Sequence, residues 1–476
     1  MLNRLKALYL RSPGGLQRAY AAVPYAWRLG APYRRTRRLL EASERWSAGQ
    51  LRALQDERVR ELVAFAHEHV PYYRRTMDRL GLSPADFAGV DDLPKLPLLA
   101  KDDVRRHADD LRARCVPPRR THFATTAGST GEPLGLHFHN DCYGTEWAFM
   151  LDQWRRVGFR PGDRKATFRG RHFEVRPDRF HRDNPVYHER CFSIYHLTRE
   201  ALPHYLAAFR AFRPRFVHGY PSAVARFAQL VREAGADLPP LQAVLCGSEQ
   251  IFPHQRELIG EVLGCRVYSW YGQTEKVILA GECEHGARYH CYPQYGVTEI
   301  VRPDGAPCAP GEVGELVGTG FMNRAMPLIR YRMGDRAAWG EGDCACGRQY
   351  PMIDKLAGRE QDHVVTQSGR LIPITGMLFG AHMDEYTQME KVQLEQREPG
   401  AAILRVVQAA GATAEELEQI RRGFEAICDG ECRFTIERVA EIPPTEGGKY
   451  RYMIQHLDVR AHTEPPQPAP AETSQQ

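Results

Sequence analysis

The 476-residue sequence lacks several features that mark particular classes of protein. No apolar run approaches the length that a membrane-spanning helix needs, and no apolar stretch near the N-terminus precedes a small-residue cleavage site. Cysteine is scarce, with 12 residues that mostly stand apart in the sequence. These absences argue against a transmembrane segment and a disulfide scaffold, and we expect a cytoplasmic protein with reduced thiols.

A large excess of one charge is also missing. The formal charge is +5, and the contents of charged and hydrophobic residues, 26% and 43%, are typical of globular proteins. Such a mild excess gives no reason to expect a nucleic-acid partner. Residues 1–60 are basic and helical in pattern, with Arg-Arg-Thr-Arg-Arg at positions 34–38. This pattern is typical of a solvated helix face, and less often of a helix that touches an anionic membrane or a partner.

The pattern of apolar residues predicts more than one structural unit. Residues 161–250 alternate short apolar runs with helical stretches, which predicts βαβ units and a largely parallel sheet. Residues 297–340 are typical of twisted β structure. Further along, strands are predicted near residues 403–407 and 433–439, around a helix at residues 414–427. The prolines of residues 93–101 predict an extended connector.

These patterns predict an α/β fold divided in two. A chain of this length exceeds what one hydrophobic core supports. We predict a large N-terminal domain at residues 1–357, with parallel sheets, helices and a β subdomain, and a small mobile α+β domain at residues 358–460. Residues 461–476 are rich in proline, alanine and glutamine, and we expect them to be disordered.

Residues 125–135 form the most distinctive stretch, with three glycines, four hydroxyl side chains and a proline. Glycines let backbone N–H groups approach a phosphate, and hydroxyl groups add hydrogen-bond donors. The stretch lacks the Gly-Lys-Ser/Thr ending of a P-loop, because Glu132 and Pro133 follow Gly131. Taken alone it predicts either a phosphate loop or a flexible surface turn.

Further polar segments follow strand-like runs, where ligands bind in parallel sheets. Three segments stand in such positions: Gly219-Tyr220-Pro221, Gly247-Ser248-Glu249 and Tyr271-Gly272-Gln273-Thr274-Glu275. The last of these offers an aromatic ring for a base, a glycine for a phosphate and a carboxylate for Mg²⁺. Asp335 ends the segment at 327–335 and suits ribose hydroxyls, and Lys449 follows a glycine-rich turn.

The order of these motifs resembles the adenylate-forming (acyl-CoA synthetase) superfamily, and within it the phenylacetate–CoA ligase and CapK-like branch. The shared motifs are Ser-Thr-Gly-x-Pro at 129–133, Tyr-Gly-x-Thr-Glu at 271–275 and Tyr-Arg-x-Gly-Asp at 331–335. Gly-Arg at 358–359 matches the hinge, and Gly-Lys at 448–449 matches the C-terminal lysine element. The resemblance runs from about residue 60 to 457. Glu132, Ala127 and Gln361 depart from the residues common in relatives.

The resemblance implies a role for each matching residue. Thr126, Ser129, Thr130 and Gly131 would hold the β- and γ-phosphates of ATP. Gly247, Ser248 and Glu249 would line the nucleotide's edge, Tyr271 would stack on adenine, and Gly272 would approach a phosphate. Thr274 would contact the phosphate, and Glu275 would bind Mg²⁺. Asp335 would hold the ribose hydroxyls with the help of Arg359, and Lys449 would be catalytic.

The role of Lys449 also has a physical reason. A carboxylate that attacks the α-phosphate brings two anions together, and negative charge grows on the phosphoryl oxygens. A lysine delivered there neutralises that charge, while Mg²⁺ stabilises the departing pyrophosphate. The small domain would rotate on its hinge between adenylation and transfer of the acyl group.

Four residues form a candidate zinc site. Cys283 and His290 form one pair, and Cys344 and Cys346 form a second pair after a long insert, which is typical of structural zinc sites with four protein ligands. Either Cys291 or His285 could take the place of His290 as a metal ligand. The alternative is a set of unrelated reduced thiols.

The substrate is the least defined part of the prediction. By family position the pocket is lined by Trp147, by His218 to Pro221 (with Gly219 and Tyr220) and by Trp270, and aromatic walls favour an aryl or arylacetic acid. These residues also suit a hydrophobic core.

We predict an ATP-dependent, AMP-forming acid–thiol ligase that uses Mg²⁺ and transfers the acyl group to CoA. The alternatives are transfer to an amine or a carrier-protein thiol, and a zinc-stabilised binding protein without activity. The expected partners are a small carboxylic acid, ATP and CoA or another acyl acceptor, and the sequence leaves open whether the chain forms a homodimer.

Overall fold

A computed structural model describes residues 12, 14–125, 134–171, 173–249, 251, 253–302, 304–356, 363–374, 377, 389–408, 413–442 and 453–457. The α-helices of the described residues, numbered in chain order, are α1 (Gly14–Ala21), α2 (Tyr25–Arg28), α3 (Gly30–Ser43), α4 (Ala48–His69), α5 (Pro71–Leu80), α6 (Lys101–Arg106), α7 (Asp141–Arg155), α8 (Leu202–Phe212), α9 (Pro221–Glu233), α10 (Pro253–Leu263) and α11 (Ala414–Ile427). None of the described helices is long and apolar enough to cross a membrane.

The described strands are β1 (Thr121–Thr125), β2 (Gly135–His139), β3 (Lys165–Phe168), β4 (His181–Asn184), β5 (Glu189–Phe192), β6 (Phe216–Gly219), β7 (Ala243–Gly247), β8 (Arg266–Gly272), β9 (Leu279–Cys283), β10 (Gly286–Cys291), β11 (Gly296–Val301), β12 (Val313–Gly320), β13 (Tyr331–Trp339), β14 (Met352–Leu356), β15 (His363–Val365), β16 (Leu371–Pro373), β17 (Met389–Glu398), β18 (Ala401–Gln408), β19 (Arg433–Arg438) and β20 (Met453–Gln455). Short 3₁₀ helices lie at Pro84–Asp86, Val90–Lys95, Pro118–Arg120 and Pro185–Tyr187.

Local sequence signals explain where several helices begin. Ser47 caps α4, because its hydroxyl accepts the backbone N–H of Gln50 while the Gln50 side chain accepts the backbone N–H of Ser47. Thr413 and Glu416 form the same reciprocal cap at the start of α11. Prolines occupy the first turns of α5, α8 and α9, where a missing N–H costs nothing.

One mixed sheet of twelve strands organises the large unit. Its order is β11-β12-β13-β14-β10-β9-β8-β7-β6-β3-β5-β4. Strands β5, β3, β6, β7 and β8 run parallel, and their buried runs are continuous, as expected for strands covered on both faces. From β8 to β11 every pairing is antiparallel. The predicted parallel sheet of residues 161–250 is confirmed, and the β structure of residues 297–340 continues that same sheet.

The glycine-rich stretch is flanked by a two-stranded hairpin. Strand β1 pairs with β2 in antiparallel register from Thr121 opposite His139 to Thr125 opposite Gly135. The two ends of the stretch are thus held side by side. Residues 126–133 themselves lie outside the described residues.

The small unit is built on a four-stranded sheet in the order β19-β18-β17-β20. Helix α11 buries Leu417, Ile420 and Phe424, which recur at helical spacing. The strands predicted near residues 403–407 and 433–439 are β18 and β19, and the helix predicted at residues 414–427 is α11.

The small unit contacts the large unit through Arg370, a buried residue next to β16. Its guanidinium donates to the carbonyl oxygen of Tyr195 at 2.8 Å and to the carboxylate of Asp429 at 2.7 Å. His196 Nε2 lies 3.1 Å from the other Asp429 oxygen. One arginine therefore joins a loop of the large unit to the end of α11.

The prolines of residues 93–101 predicted an extended connector, but the segment is extended only in part. Val90–Lys95 is a 3₁₀ helix that contains Pro94, and α6 begins at Lys101. Such a short helix tolerates proline because few of its N–H groups have a partner to lose. Leu99 then pairs with Tyr331 through the bond from its N–H to the carbonyl oxygen of Arg330 at 2.9 Å. This pairing brings Lys101 near the start of β13.

Candidate functional site

The carboxyl ends of β3, β6, β7 and β8 meet at one edge of the sheet, because these strands are parallel and adjacent. The segments that follow them are therefore neighbours although they lie far apart in sequence. Arg169 follows β3, Tyr220 follows β6, and Ser248 follows β7. This edge is where ligands bind in sheets of this type.

Tyr271 and Asp335 come together at this edge. The Tyr271 hydroxyl donates to Asp335 Oδ2 at 2.7 Å, although the two residues are 64 positions apart. Gly334 precedes Asp335 with φ of +71°, a left-handed conformation that favours glycine. That turn directs the backbone so that the Asp335 carboxylate faces Tyr271. The residues predicted to hold adenine and ribose thus share one site.

Glu275 lies beside this pair. Its Oε1 accepts a hydrogen bond from the Tyr331 hydroxyl at 3.2 Å. Burial raises the pKa of Glu275, and Asp335 acts in the same direction, while nearby Lys101 and the Tyr331 hydroxyl lower it. Thr274 is exposed. A carboxylate whose ionised form is stabilised by a nearby cation is suited to bind a divalent metal ion.

Gly272, predicted to approach a phosphate, is the last residue of β8 and is exposed. Its exposure leaves backbone accessible at the strand end. A glycine here lets a ligand come close to the main chain.

Glu249 has a structural partner that the sequence did not reveal. Its Oε2 accepts the backbone N–H of Ser222 at 3.1 Å, in the first turn of α9. The side chain is buried, and burial raises the pKa of Glu249 to about 7 although the Ser222 bonds lower it. Its other oxygen, Oε1, has no hydrogen-bond partner among the described residues.

Gly247 is required by close packing at the end of β7. A Cβ at this position would lie 2.4 Å from the ring of Trp270. Only glycine avoids this overlap. Ser248, the next residue, has φ of +71° and is exposed. The strand end therefore turns sharply and presents its backbone to the region at the carboxyl ends of β3, β6, β7 and β8, which we call the cleft.

Arg169 is the principal residue of the site that sequence reasoning missed. Its guanidinium donates to Ser248 Oγ at 2.6 Å and lies 3.3 Å from His218 Nε2. It also lies over the Tyr220 ring, 5.0 Å from the centroid. No motif marks Arg169, but its position directly after a parallel strand is a signal that could have found it.

The predicted substrate pocket is brought together in part. The rings of His218 and Trp270 stack with centroids 5.8 Å apart, and both contact the buried Trp154. Burial and the charge of Arg169 lower the pKa of His218 well below its usual range, so its ring is neutral. Trp147 also contacts Trp154, and its ring stacks on that of Tyr187 with the centroids 5.4 Å apart.

Two more predicted pocket residues are placed by local backbone structure. Gly219 ends β6, and Pro221 begins α9. Six of the predicted site residues lie outside the described residues: Thr126, Ser129, Thr130, Gly131, Arg359 and Lys449.

The four predicted zinc ligands form one cluster. The possible ligand atoms of Cys283, His290, Cys344 and Cys346 all lie within 4.8 Å of one another. The sulfur atoms of Cys283 and Cys344 are 3.5 Å apart, and Cys346 Sγ lies 3.8 Å from His290 Nε2. Ligands at about 2.0–2.3 Å from a tetrahedral zinc ion have separations of this size.

The surroundings explain why His290 joins the cluster rather than its neighbours. Adjacent residues of a strand point to opposite faces, so Cys291 faces away, where its thiol meets Thr298. His285 is exposed. Burial, with Arg156 and Arg348 nearby, lowers the pKa of His290 to about 4, and a neutral imidazole is the form that binds metals.

Comparison with known proteins agrees with the family resemblance of the motifs. The family model described as AMP-binding enzyme matches residues 186–323. A phenylacetate-coenzyme A ligase of Thermus thermophilus is 26% identical over 434 residues, which cover 85% of this chain and 96% of that protein. Protein CapK of Staphylococcus aureus is 22% identical over 432 residues, which cover 89% and 92%.

The fold is also similar to a solved one. The structure of 2-hydroxyisobutyryl-CoA ligase in complex with 2-HIB-AMP and CoA aligns with a TM-score of 0.59 at 20% identity, and the match covers 88% of this chain and 92% of that one. Fold, motifs and relatives therefore agree. The chain is thus similar to adenylate-forming proteins of the phenylacetate–CoA ligase and CapK-like branch, the family that its motifs resemble.

Proposed function

We propose that the protein activates a carboxylic acid with ATP as an acyl-adenylate and then transfers the acyl group to the thiol of CoA. AMP and pyrophosphate are the other products. The observation that carries the proposal is the Tyr271–Asp335 hydrogen bond beside Glu275, because it unites a base-stacking ring, a ribose acceptor and a metal ligand at the edge of the sheet. The names of the ligase relatives point to CoA as the acceptor.

The nucleotide would lie across the ends of β7 and β8. Tyr271 would stack on adenine, Asp335 would accept from the ribose hydroxyls, and Gly247 and Ser248 would line the edge. Glu275 would hold Mg²⁺, with Lys101 and Tyr331 setting the position of its carboxylate. Mg²⁺ supplies neutralisation of the phosphate charge. The glycine-rich stretch, whose ends are paired by β1 and β2, would hold the β- and γ-phosphates.

Lys449 would neutralise the charge that grows as the acid attacks the α-phosphate. Because Lys449 belongs to the small unit, its delivery depends on how that unit is placed. The Arg370 contact with Tyr195 and the His196 contact with Asp429 are the bonds that such a rotation would break. We therefore propose two positions of the small unit, one for each half-reaction.

The acid would carry an aromatic ring. The stacked His218 and Trp270 rings are buried just below the strand ends and would form the apolar floor of the acid pocket. Arg169 lies at the same edge, bound to Ser248, and would stabilise the carboxylate of the acid as it approaches. An aryl or arylacetic acid combines these two features.

The cysteine and histidine cluster would hold one structural zinc ion. All four ligands come from protein, which leaves no open position for catalysis. The ion would tie β9 and β10 to the loop that bears Cys344 and Cys346. Arg348 in that loop already binds Glu44 at 2.6 Å and Glu284 at 2.7 Å.

Acid-dependent exchange of pyrophosphate into ATP tests the first half-reaction. At least one acid from a panel of aryl and arylacetic acids should support exchange. Without Mg²⁺, no exchange should occur. Lys449→Ala should lose about 10²–10³-fold in exchange while it still binds ATP. Lys95→Ala, a change at an exposed lysine of the large unit, is the matched control and should keep full activity.

Acyl-CoA formation tests the second half-reaction. The reaction with CoA should give acyl-CoA and AMP in equal amounts. Exchange without acylation of CoA would instead support transfer to an amine or a carrier-protein thiol. The absence of exchange with every acid, in protein that binds ATP, would refute adenylation itself.

A further inference from the structure

Exposed apolar side chains are concentrated in the N-terminal segment. Seven large hydrophobic side chains are exposed among the described residues, and four of them, Leu16, Tyr20, Val23 and Trp27, lie within twelve consecutive positions. Leu16 and Tyr20 are one turn apart on α1, and Trp27 on α2 is 74% exposed. Single exposed apolar residues are ordinary, but a cluster of them marks an interaction surface. We call these four residues the apolar patch.

Positive charge surrounds the apolar patch. The first 40 residues contain nine lysines and arginines and no aspartate or glutamate. Arg28 lies 5.9 Å from the centroid of the Tyr20 ring, and Arg34 lies 5.7 Å from that of Trp27. On α3, Arg38 is exposed. Aromatic rings bordered by arginines are suited to the boundary between water and lipid.

The apolar patch is presented by a packed body. Helix α3 buries Tyr33 and Leu40, and it packs closely on α7 because Gly144 has no side chain: a Cβ there would lie 2.6 Å from the carbonyl oxygen of Leu29. Arg28 Nη1 donates to the carbonyl oxygen of Val186 at 2.6 Å. These contacts hold the segment against the large unit, while the apolar patch and Arg38 face solvent.

The charge decides between the two simplest occupants of this surface. A second copy of the chain, related by a two-fold axis, would place the same basic segment opposite itself, and like charges across an interface oppose association. An anionic lipid surface has the opposite charge and accepts tyrosine and tryptophan at the level of its headgroups. We infer that residues 14–38 dock the protein reversibly on an anionic membrane surface, with the apolar patch inserted among the headgroups.

Vesicle co-sedimentation of the full chain tests this inference. Vesicles of phosphatidylcholine with about 30% phosphatidylglycerol should bind the protein, and those of phosphatidylcholine alone should bind it at least tenfold more weakly, because several arginines each contribute about fivefold. About 0.5 M salt should release it, since salt screens exposed charges. Trp27→Ser should weaken binding about tenfold, and Arg38→Ser about fivefold.

The matched control is the double change Arg79→Ser with Leu80→Ser, which removes an exposed arginine and an exposed apolar residue from α5. It should bind anionic vesicles as the wild type does. Circular dichroism and acid-dependent pyrophosphate exchange should be unchanged in all of these variants, because none touches the cleft.

Three results would overturn the inference. The first is no binding to anionic vesicles. The second is equal binding to neutral vesicles, or equal loss in the control. The third is a dimer, measured by sedimentation, that Trp27→Ser converts to a monomer, since the apolar patch would then be an interface between two copies.

Discussion

Glu249 offers a direct test of the electrostatics at the strand ends. Burial raises its pKa from the usual 4.5 to about 7, while its carboxylate caps α9 through the N–H of Ser222. The folded protein thus holds this proton more tightly than the unfolded chain does. The stabilising contribution is fully present below about pH 4.5 and is lost as the pH rises through about 7.

The size of the effect follows from the shift. The net shift of about 2.5 pKa units already includes the bonds to Ser222 and corresponds to about 3 kcal/mol. Glu249→Gln retains an oxygen for the Ser222 N–H but cannot ionise. The variant should therefore gain stability relative to the wild type as the pH rises from 5 to 8, by about 2–3 °C in Tm for a chain of 476 residues.

The measurement is the difference in Tm between variant and wild type across this pH range, which cancels the titration of all other groups. Glu416→Gln is the control, at a carboxylate whose pKa is shifted in the opposite direction. Hydrogen bonds from Thr413 lower its pKa, so its contribution is lost only as the pH falls below about 4.5, and the Tm difference for this variant should stay constant from pH 5 to 8. A Tm difference for Glu249→Gln that stays constant from pH 5 to 8 would show that the carboxylate is ionised throughout, and the reasoning would be wrong.

Two further predictions concern the nucleotide cleft and the metal cluster. Tyr271→Phe loses the 2.7 Å bond to Asp335, so the KM for ATP should rise about fivefold with kcat nearly unchanged, and an unchanged KM would contradict the shared site. Freshly purified protein should contain about one zinc ion per chain. The Cys346→Ser variant should lose this ion, and its free energy of unfolding should fall by at least about 3 kcal/mol. Cys308→Ser, at a buried cysteine outside the cluster, should keep the zinc, and wild-type protein without zinc would refute the assignment.

Much of the architecture could be predicted from local patterns. The helix at residues 414–427 and its flanking strands were predicted within a residue or two, because α11 buries residues at regular helical spacing and begins at a threonine cap. The parallel strands were predicted from short apolar runs that alternate with helices. The 3₁₀ helix at Val90–Lys95 was not predicted, since prolines are compatible with both an extended chain and a short helix.

The candidate site divides in the same way. Motif order predicted that Tyr271 and Asp335 act together, and the pairs of cysteines and histidine predicted a metal cluster. Arg169 was not predicted, because it belongs to no motif and its position directly after a strand was the one signal that could have marked it. Its contacts with Ser248 and His218 exist only because β3, β6 and β7 are neighbours in the sheet.

The sequence by itself determined the family resemblance, the order of the elements and the residue types available for chemistry, since these depend on local spacing and on motif order. Only the tertiary structure decided which of two adjacent residues, His290 or Cys291, faces the cluster. It also decided that Glu249 is buried against the start of a helix and that an apolar patch beside arginines faces solvent. Those properties depend on which surfaces meet when distant segments pack, and no local pattern contains that information.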